Sequence, residues 1–237
     1  MKISRRQVIH ASGTALTGPS LGLKPEHLLA QAQPPAPTPH TLVEQPARSL
    51  ANLSLKPDGS APEYTPRVAG TIWEPTLWRY TKGQPPDIEF DYRKMKVKIA
   101  AGGVVKRSGT MPFADLEPLP RTSPVFLLQC GSANPRGIVK WTGVRFADVA
   151  NMLGVLPSAT YCRFVAADRY WSEEEVKTMM NPQVMLAWML NDAPIPPKHG
   201  APLRLVVPFR YGARSLKAIS EIQFTASSFP GPGLPEA

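Results

Sequence analysis

Proline placement sets the first limit on what this chain can fold into. Proline has a fixed φ and no amide proton, so a stretch dense in it cannot propagate a helix or occupy a central strand. Of the 28 prolines in 237 residues, many fall between Pro34 and Pro66 or from Pro230 onward. That distribution confines the packed part to the middle of the chain. Four parts are expected: a leader over residues 1–32, a Pro-rich linker over 33–66 that is extended or draped over the domain, a folded domain over 67–229, and a flexible tail over 230–237. The middle part is long enough to bury one sizeable core. The net charge of +9 predicts a basic surface, but no Lys/Arg run is interleaved with aromatics, which argues against nucleic acid as a partner.

The leader reads as an export signal. Ser4-Arg5-Arg6-Gln7-Val8-Ile9 is a twin-arginine pattern, a mildly apolar stretch runs from Val8 to Leu23, and Ala30-Gln31-Ala32 offers a small-x-small cleavage site. His10, Ser12, Gly13, Gly18 and Ser20 make the apolar stretch too polar for a membrane span. The expected location is therefore the periplasm, reached by a protein exported already folded. Proteins that travel this way commonly carry a cofactor inserted beforehand, so a bound redox group is expected.

In the domain, Met95 to Ile99 alternates apolar and basic residues and runs into a Gly102-Gly103 turn, the pattern of a half-buried strand. Val125 to Leu128 is a continuous apolar run that predicts a buried strand delivering Gln129-Cys130-Gly131 at its end. A loop from Ser132 to Lys140, a helix from Val144 to Leu153 stopped by Gly154, and a strand from Tyr161 to Val165 follow. Glu173-Glu174-Glu175 reads as a helix start capped by Ser172, and Pro182 to Leu190 as a helix before the turn Asn191-Asp192-Ala193-Pro194. Strands at Leu203 to Val207 and Ile219 to Phe224 close the domain. Helices and strands alternate without a βαβ rhythm, which predicts an α+β fold with mixed β-sheets and peripheral helices.

The chemistry concentrates in a few places. His199 is the one histidine of the predicted domain, in the string His199-Gly200-Ala201-Pro202-Leu203-Arg204, followed by Tyr211-Gly212-Ala213-Arg214-Ser215-Leu216-Lys217. Gly200 permits close backbone approach, and Arg204, Arg214 and Lys217 place three cations in a short span, suited to an anionic phosphate. Two cysteines, Cys130 and Cys162, could form a disulfide in an oxidising compartment; alternatively Cys130 is a strand-end thiolate and Cys162 a small core residue. No Cys-x-x-Cys-His and no cysteine cluster is present, so neither attached haem nor an iron–sulfur centre is expected.

These strings resemble the sulfite oxidase family of molybdopterin-dependent oxidoreductases. The pattern His-Gly-x-Pro-x-Arg, a strand, then Gly-Ala-Arg-x-x-Lys is similar to that family's pterin-binding segment. Leu128-Gln129-Cys130-Gly131 is similar to its metal-binding cysteine segment, and Ala167-Asp168-Arg169-Tyr170-Trp171 to the segment bordering the metal. The resemblance implies a sulfite oxidase-type molybdopterin-binding fold and a molybdenum–molybdopterin cofactor. It implies Cys130 as the metal ligand, and Asp168, His199, Arg204, Ser215, Leu216 and Lys217 as cofactor-binding residues. Tyr170 is the candidate on the substrate side, with Trp171 as a second lining residue, and Arg136 would attract an anionic substrate. Where the family carries a tryptophan after the lysine, this chain has Ala218.

Three functions are compatible with these residues. One is oxidation of a small sulfur oxyanion such as sulfite by oxygen-atom transfer. A second is reduction of a sulfoxide, such as methionine sulfoxide in proteins. The third, of another class, is a cofactor-free periplasmic binding module that keeps the fold. Both enzyme readings call for a separate electron-transfer protein, a c-type cytochrome or a haem-containing membrane subunit.

Overall fold

The computed structural model describes residues 53–72, 78–100, 102–130 and 137–228. The twin-arginine leader, the first part of the Pro-rich segment, Trp73, Arg136 and the tail lie outside the described residues.

Strands β1 (Lys96–Ala100) and β2 (Gly109–Pro112) precede helix α1 (Phe113–Leu116), and β3 (Arg121–Thr122), β4 (Val125–Leu128) and β5 (Gly137–Arg145) precede α2 (Phe146–Leu153). Then come β6 (Tyr161–Ala166), β7 (Trp171–Glu175), α3 (Val176–Met179), β8 (Met185–Leu190), β9 (Ala193–Pro194), β10 (Arg204–Val206) and β11 (Ile219–Thr225). One sheet has the order β2-β1-β11-β6-β7, in which only β1 and β11 run parallel. The other has the order β10-β8-β5-β3, with β4 also on β5 and β9 on β8, all antiparallel. Mixed sheets with short helices make this the expected α+β fold.

β3 and β4 share one register against β5. Arg121 faces Val144 and Thr122 faces Gly143, and the same alignment resumes from Val125 opposite Lys140 to Leu128 opposite Gly137. Between them Pro124 has no amide to give, and its carbonyl accepts from the Trp141 amide at 2.9 Å. The described pairing of β4 ends at Leu128 opposite Gly137, and Cys130 stands two residues beyond it. On the other edge of β5, Gly143 is required: a Cβ there would lie 1.9 Å from the Leu186 carbonyl oxygen, at the bulge where β5 meets β8. Phe146 of α2 packs on Phe164 of β6 and Phe224 of β11, with ring centroids 5.5 and 6.3 Å apart. Trp141, Trp188, Leu205 and Val207 are buried in the same continuous core.

Three sequence expectations are corrected. The helix expected from Val144 starts at Phe146, because Val144 and Arg145 complete β5, and the preceding loop ends by Gly137 for the same reason. Gly154 does cap that helix, in the left-handed conformation. The stretch Pro182 to Leu190 is not helical. Its Met, Leu and Ala residues favour a helix in isolation, but Met185–Leu190 is the strand between β5 and β10, where tertiary pairing overrides propensity. The turn after it holds: Asn191 and Asp192 both take positive φ. Finally, Ser172 to Glu175 is strand β7 rather than a capped helix start. Ser172 is buried, Glu173 reaches Arg163, and the helix begins at Val176.

Residues 53–66 lie along β4 and beyond it. Tyr64 donates its amide to the Val125 carbonyl at 2.9 Å, and Glu63 bridges to Phe126. Ala61 exchanges two hydrogen bonds with the Gln183 amide, each 2.8 Å, and Ser54 donates its amide to Gln129 Oε1 at 2.8 Å.

Candidate active site

β4 is followed by Gln129, which is buried, and then Cys130, which is half-buried. The Gln129 carbonyl accepts the Gly212 amide at 2.5 Å. That contact seats the loop after β10 beside the cysteine, although more than eighty residues separate the two in sequence. Pro208 ends β10, a tight turn spans Gly212–Arg214, and Ser215 locks it: its buried hydroxyl accepts the Val207 amide at 3.0 Å. Leu216 is buried and its carbonyl accepts from Leu205 at 2.9 Å. Ser215 and Leu216 therefore shape the loop with their side chains turned inward.

Lys217 follows, against Gly200. Gly200 has φ +108°, and a Cβ on it would meet the Lys217 side chain at 2.8 Å, so glycine is needed twice over. The Gly200 carbonyl accepts from Ala218 at 3.0 Å, and the Ala218 carbonyl accepts from Ala167 at 2.8 Å. These two bonds tie the His199 turn, Lys217 and the Asp168 turn together. The Ala201–Pro202 bond between the His199 turn and β10 is cis.

Arg204 is buried, 4% exposed, and among the described residues no carboxylate pairs with it. Its Nη1 donates to the His199 carbonyl, its guanidinium lies 5.1 Å from the Trp141 ring centroid, and its Nε is buried without a hydrogen-bond partner. Burial pushes the guanidinium down to about 10. The Lys217 ammonium lies 4.0 Å from the Trp78 ring centroid. Burial and the neighbouring Arg204 cation push it down to about 7, against a smaller upward pull from Asp168. Two cations thus share a poorly solvated place, an arrangement that an anion would relieve.

Asp168 is buried, and its Oδ1 accepts the Tyr170 amide at 3.1 Å. The turn is completed by Arg169 at φ +70°. Tyr170 donates its hydroxyl to the Ala213 carbonyl at 3.2 Å, and the Arg79 guanidinium sits 5.0 Å over its ring. A cleft of about 370 Å³ opens here, lined by Tyr80, Thr81, Ala167, Asp168 and Arg169.

Cys130, Asp168, Tyr170, His199, Arg204, Ser215, Leu216 and Lys217 are thus linked by direct contacts or by the backbone bonds above. Arg136 lies outside the described residues. Arg214, the third cation of the sequence string, has a different job. It donates to Ser172 Oγ and the Glu173 carbonyl at 3.1 and 3.2 Å and lies 3.5 Å from Glu174 Oε1. Trp171, the other lining candidate, carries the Arg163 guanidinium at 4.3 Å from its ring centroid. No disulfide joins Cys130 and Cys162; Cys162 is buried in β6 and points its thiol at the Glu174 carbonyl. Nothing in the local sequence marks Trp78 and Trp141 as the rings that carry the two site cations, because an aromatic's partner is set by tertiary packing.

Residues 82–232 match the family model described as the oxidoreductase molybdopterin binding domain. Among curated relatives, the uncharacterized oxidoreductase YuiH of Bacillus subtilis is 29% identical over 145 residues, 61% of this chain and 73% of its own. The protein-methionine-sulfoxide reductase catalytic subunit MsrP of Xanthomonas axonopodis pv. citri is 31% identical over 142 residues, 53% of this chain and 44% of its own. Mitochondrial sulfite oxidase of Drosophila melanogaster is 26% identical over 182 residues, 65% of this chain and 31% of its own. The chain thus spans less than half the length of the last two. The crystal structure of the sulfane dehydrogenase SoxCD from Paracoccus pantotrophus superposes with a TM-score of 0.53 at 22% identity, over 77% of this chain and 50% of that one, a likeness of fold.

Proposed function

This chain belongs to the oxidoreductase molybdopterin-binding domain family, and on that premise we propose that it oxidises a small sulfur oxyanion, of the sulfite type, by oxygen-atom transfer. It is an enzyme, and its cofactor is a molybdenum–molybdopterin. The residues present fit that group. Among the described residues no three His, Cys, Asp or Glu side chains cluster as metal ligands, so a metal at Cys130 needs donors brought by a cofactor. A thiol is the soft donor that molybdenum with sulfur-rich ligands prefers. Arg204, with no carboxylate partner among the described residues and an unpartnered buried Nε, is the cradle for an anionic end.

In this reading Cys130 holds the metal. Lys217 and Arg204 bind the cofactor's phosphate, His199 and Asp168 border the pterin, and Ser215 and Leu216 fix the loop that presents Lys217. When bound, the cofactor supplies two-electron redox chemistry with transfer of one oxygen atom. The protein's own share is to hold, shield and admit. Tyr170 borders the reacting centre with its hydroxyl kept in place by Ala213 and Arg79 over its ring, and Arg169 in the cleft lining adds a cation that attracts anions. Net oxidation of sulfite takes one oxygen from water and releases two protons and two electrons. The electrons pass to a separate carrier, which we take to be a c-type cytochrome or a haem-containing membrane subunit. The twin-arginine pattern near the start of the chain supports a periplasmic location for this reaction.

The observation that favours an anionic substrate is Arg169 in the cleft lining, with Arg79 over the ring of Tyr170. The MsrP relatives support a second reading, reduction of methionine sulfoxide in proteins. Steady-state turnover of sulfite with ferricyanide or cytochrome c, beside sulfoxide reduction with a reduced viologen, separates the two. Sulfite turnover is expected; rapid sulfoxide reduction without sulfite turnover replaces the first reading with the second.

A further inference from the structure

Three buried indoles, those of Trp78, Trp141 and Trp188, keep their N–H groups without a hydrogen-bond partner among the described residues. The lack alone singles nothing out. Trp188 packs into an aromatic cluster with Phe113 and Tyr92, ring centroids 5.1 and 6.3 Å away, which accounts for its burial. Trp141 is on β5, inside the core. Trp78 is different, because it lies ahead of residue 82, where the family match begins, and yet is 2% exposed. What it covers is the site: the Lys217 ammonium stands 4.0 Å from its ring centroid, the shortest cation–ring distance among those described.

A lysine side chain has four rotatable bonds, and holding its head in one position costs rotamer entropy. Gly200 packs on the Lys217 stem at Cβ and Cγ and so fixes only the near end. At the far end the Trp78 ring face lies against the ammonium. A tryptophan face attracts an ammonium without neutralising it. The indole also keeps water from that side.

We infer that Trp78 is a positioning residue of the cofactor site, whose ring face holds the Lys217 ammonium where it pairs with the cofactor's phosphate. The inference rests on the assignment of Lys217 to the cofactor. Among the described residues, the charges that act on Lys217 include Arg204 from β10 and Asp168 from the β6–β7 turn, and His199 precedes Gly200, which packs on its stem.

The test uses the full chain loaded with cofactor, reading molybdenum and pterin per folded chain and the rate of pterin release against pH. Trp78→Leu is expected to release pterin roughly three- to thirty-fold faster, the range of one lost cation–π contact. Its release should also accelerate at lower pH than in the wild type, because the lysine loses its proton more easily without the ring. Trp78→Phe, which restores a ring face, should recover most of the retention. In a Lys217→Gln background, Trp78→Leu should add little. An equal loss in both backgrounds overturns the inference, since Trp78 would then act by packing alone, and so does a folded Trp78→Leu with wild-type release at every pH. Should Trp78→Leu not fold, Trp78→Phe and Trp78→Tyr carry the same cycle with Lys217→Gln, and additive effects there overturn it. Wild-type protein that binds neither molybdenum nor pterin overturns the cofactor assignment itself, and this inference with it.

Discussion

Two places in the molecule use the same parts to opposite ends. On β6 and β7, Cys162 and Arg163 are buried, Arg163 lies over the Trp171 ring at 4.3 Å, and Glu173 accepts from its guanidinium at 3.0 Å. At the other place, Cys130 follows β4, and buried Arg204 lies over the Trp141 ring at 5.1 Å. There, among the described residues, no carboxylate pairs with the arginine. In the first place burial and the carboxylates of Glu174 and Glu173 push the Cys162 thiol well above its ordinary value, so it stays protonated and inert. On β6 and β7 the buried arginine has its carboxylate; among the described residues Arg204 has none. A buried charge without a partner is costly, and the cost is tolerable where a ligand supplies the partner.

The cysteines give the largest expected contrast. Cys130→Ser should lower turnover by more than the roughly 10–100-fold that loss of a supporting residue costs at a metal site, and change the metal's absorption spectrum. Cys162→Ser should change neither. Full activity in Cys130→Ser would break the comparison at its root.

The two arginines come next. Arg163→Met leaves Glu173 largely buried without its cation, and should destabilise the chain by about 3 kcal/mol in urea unfolding. Arg204→Met removes a charge that no carboxylate balances. In cofactor-free protein it should be neutral or stabilising, while molybdenum and pterin content fall. Equal destabilisation by the two substitutions would mean that Arg204 is a structural cation like Arg163.

The smallest effect is on pH. Folding lowers the Lys217 ammonium from 10.5 to about 7, so between these values the unfolded chain binds the extra proton. Stability of the cofactor-free chain should therefore rise from pH 7 toward pH 9; above that, Cys162, kept protonated only in the fold, pulls the other way. Binding an anion restores the proton, so cofactor affinity should fall by about tenfold per pH unit above 7. Lys217→Gln should flatten both slopes. A wild-type slope in that variant assigns the titration to another group.

This contrast could not be read from the sequence. Arg163, Arg204 and Arg214 are the same residue type, and only the fold shows which has a carboxylate beside it. Local signals served well where burial and backbone geometry agree: the apolar run Val125 to Leu128, the Gly154 cap and the Asn191-Asp192 turn. They failed where pairing partners decide. Met185–Leu190 is made of helix formers but lies between two strands, and Glu173 and Glu174 look like a solvated helix start until Arg163 and Arg214 are seen facing them. The site strings were legible because glycine, proline and charge at fixed spacing constrain a loop locally. The aromatic rings under the two cations were not.

The segment over residues 60–66 has a consequence for how the molecule keeps to itself. β4 pairs with β5 on one side, and on its other side it would offer open amides and carbonyls to any passing strand, which is how sheets aggregate. Glu63 and Tyr64 cover that side with one bridge and one hydrogen bond. Pro62 and Pro66 flank them and have no amide to extend the ladder. The prolines that keep this stretch from becoming a strand thus make it a lid on a sticky edge, at the strand that presents Cys130.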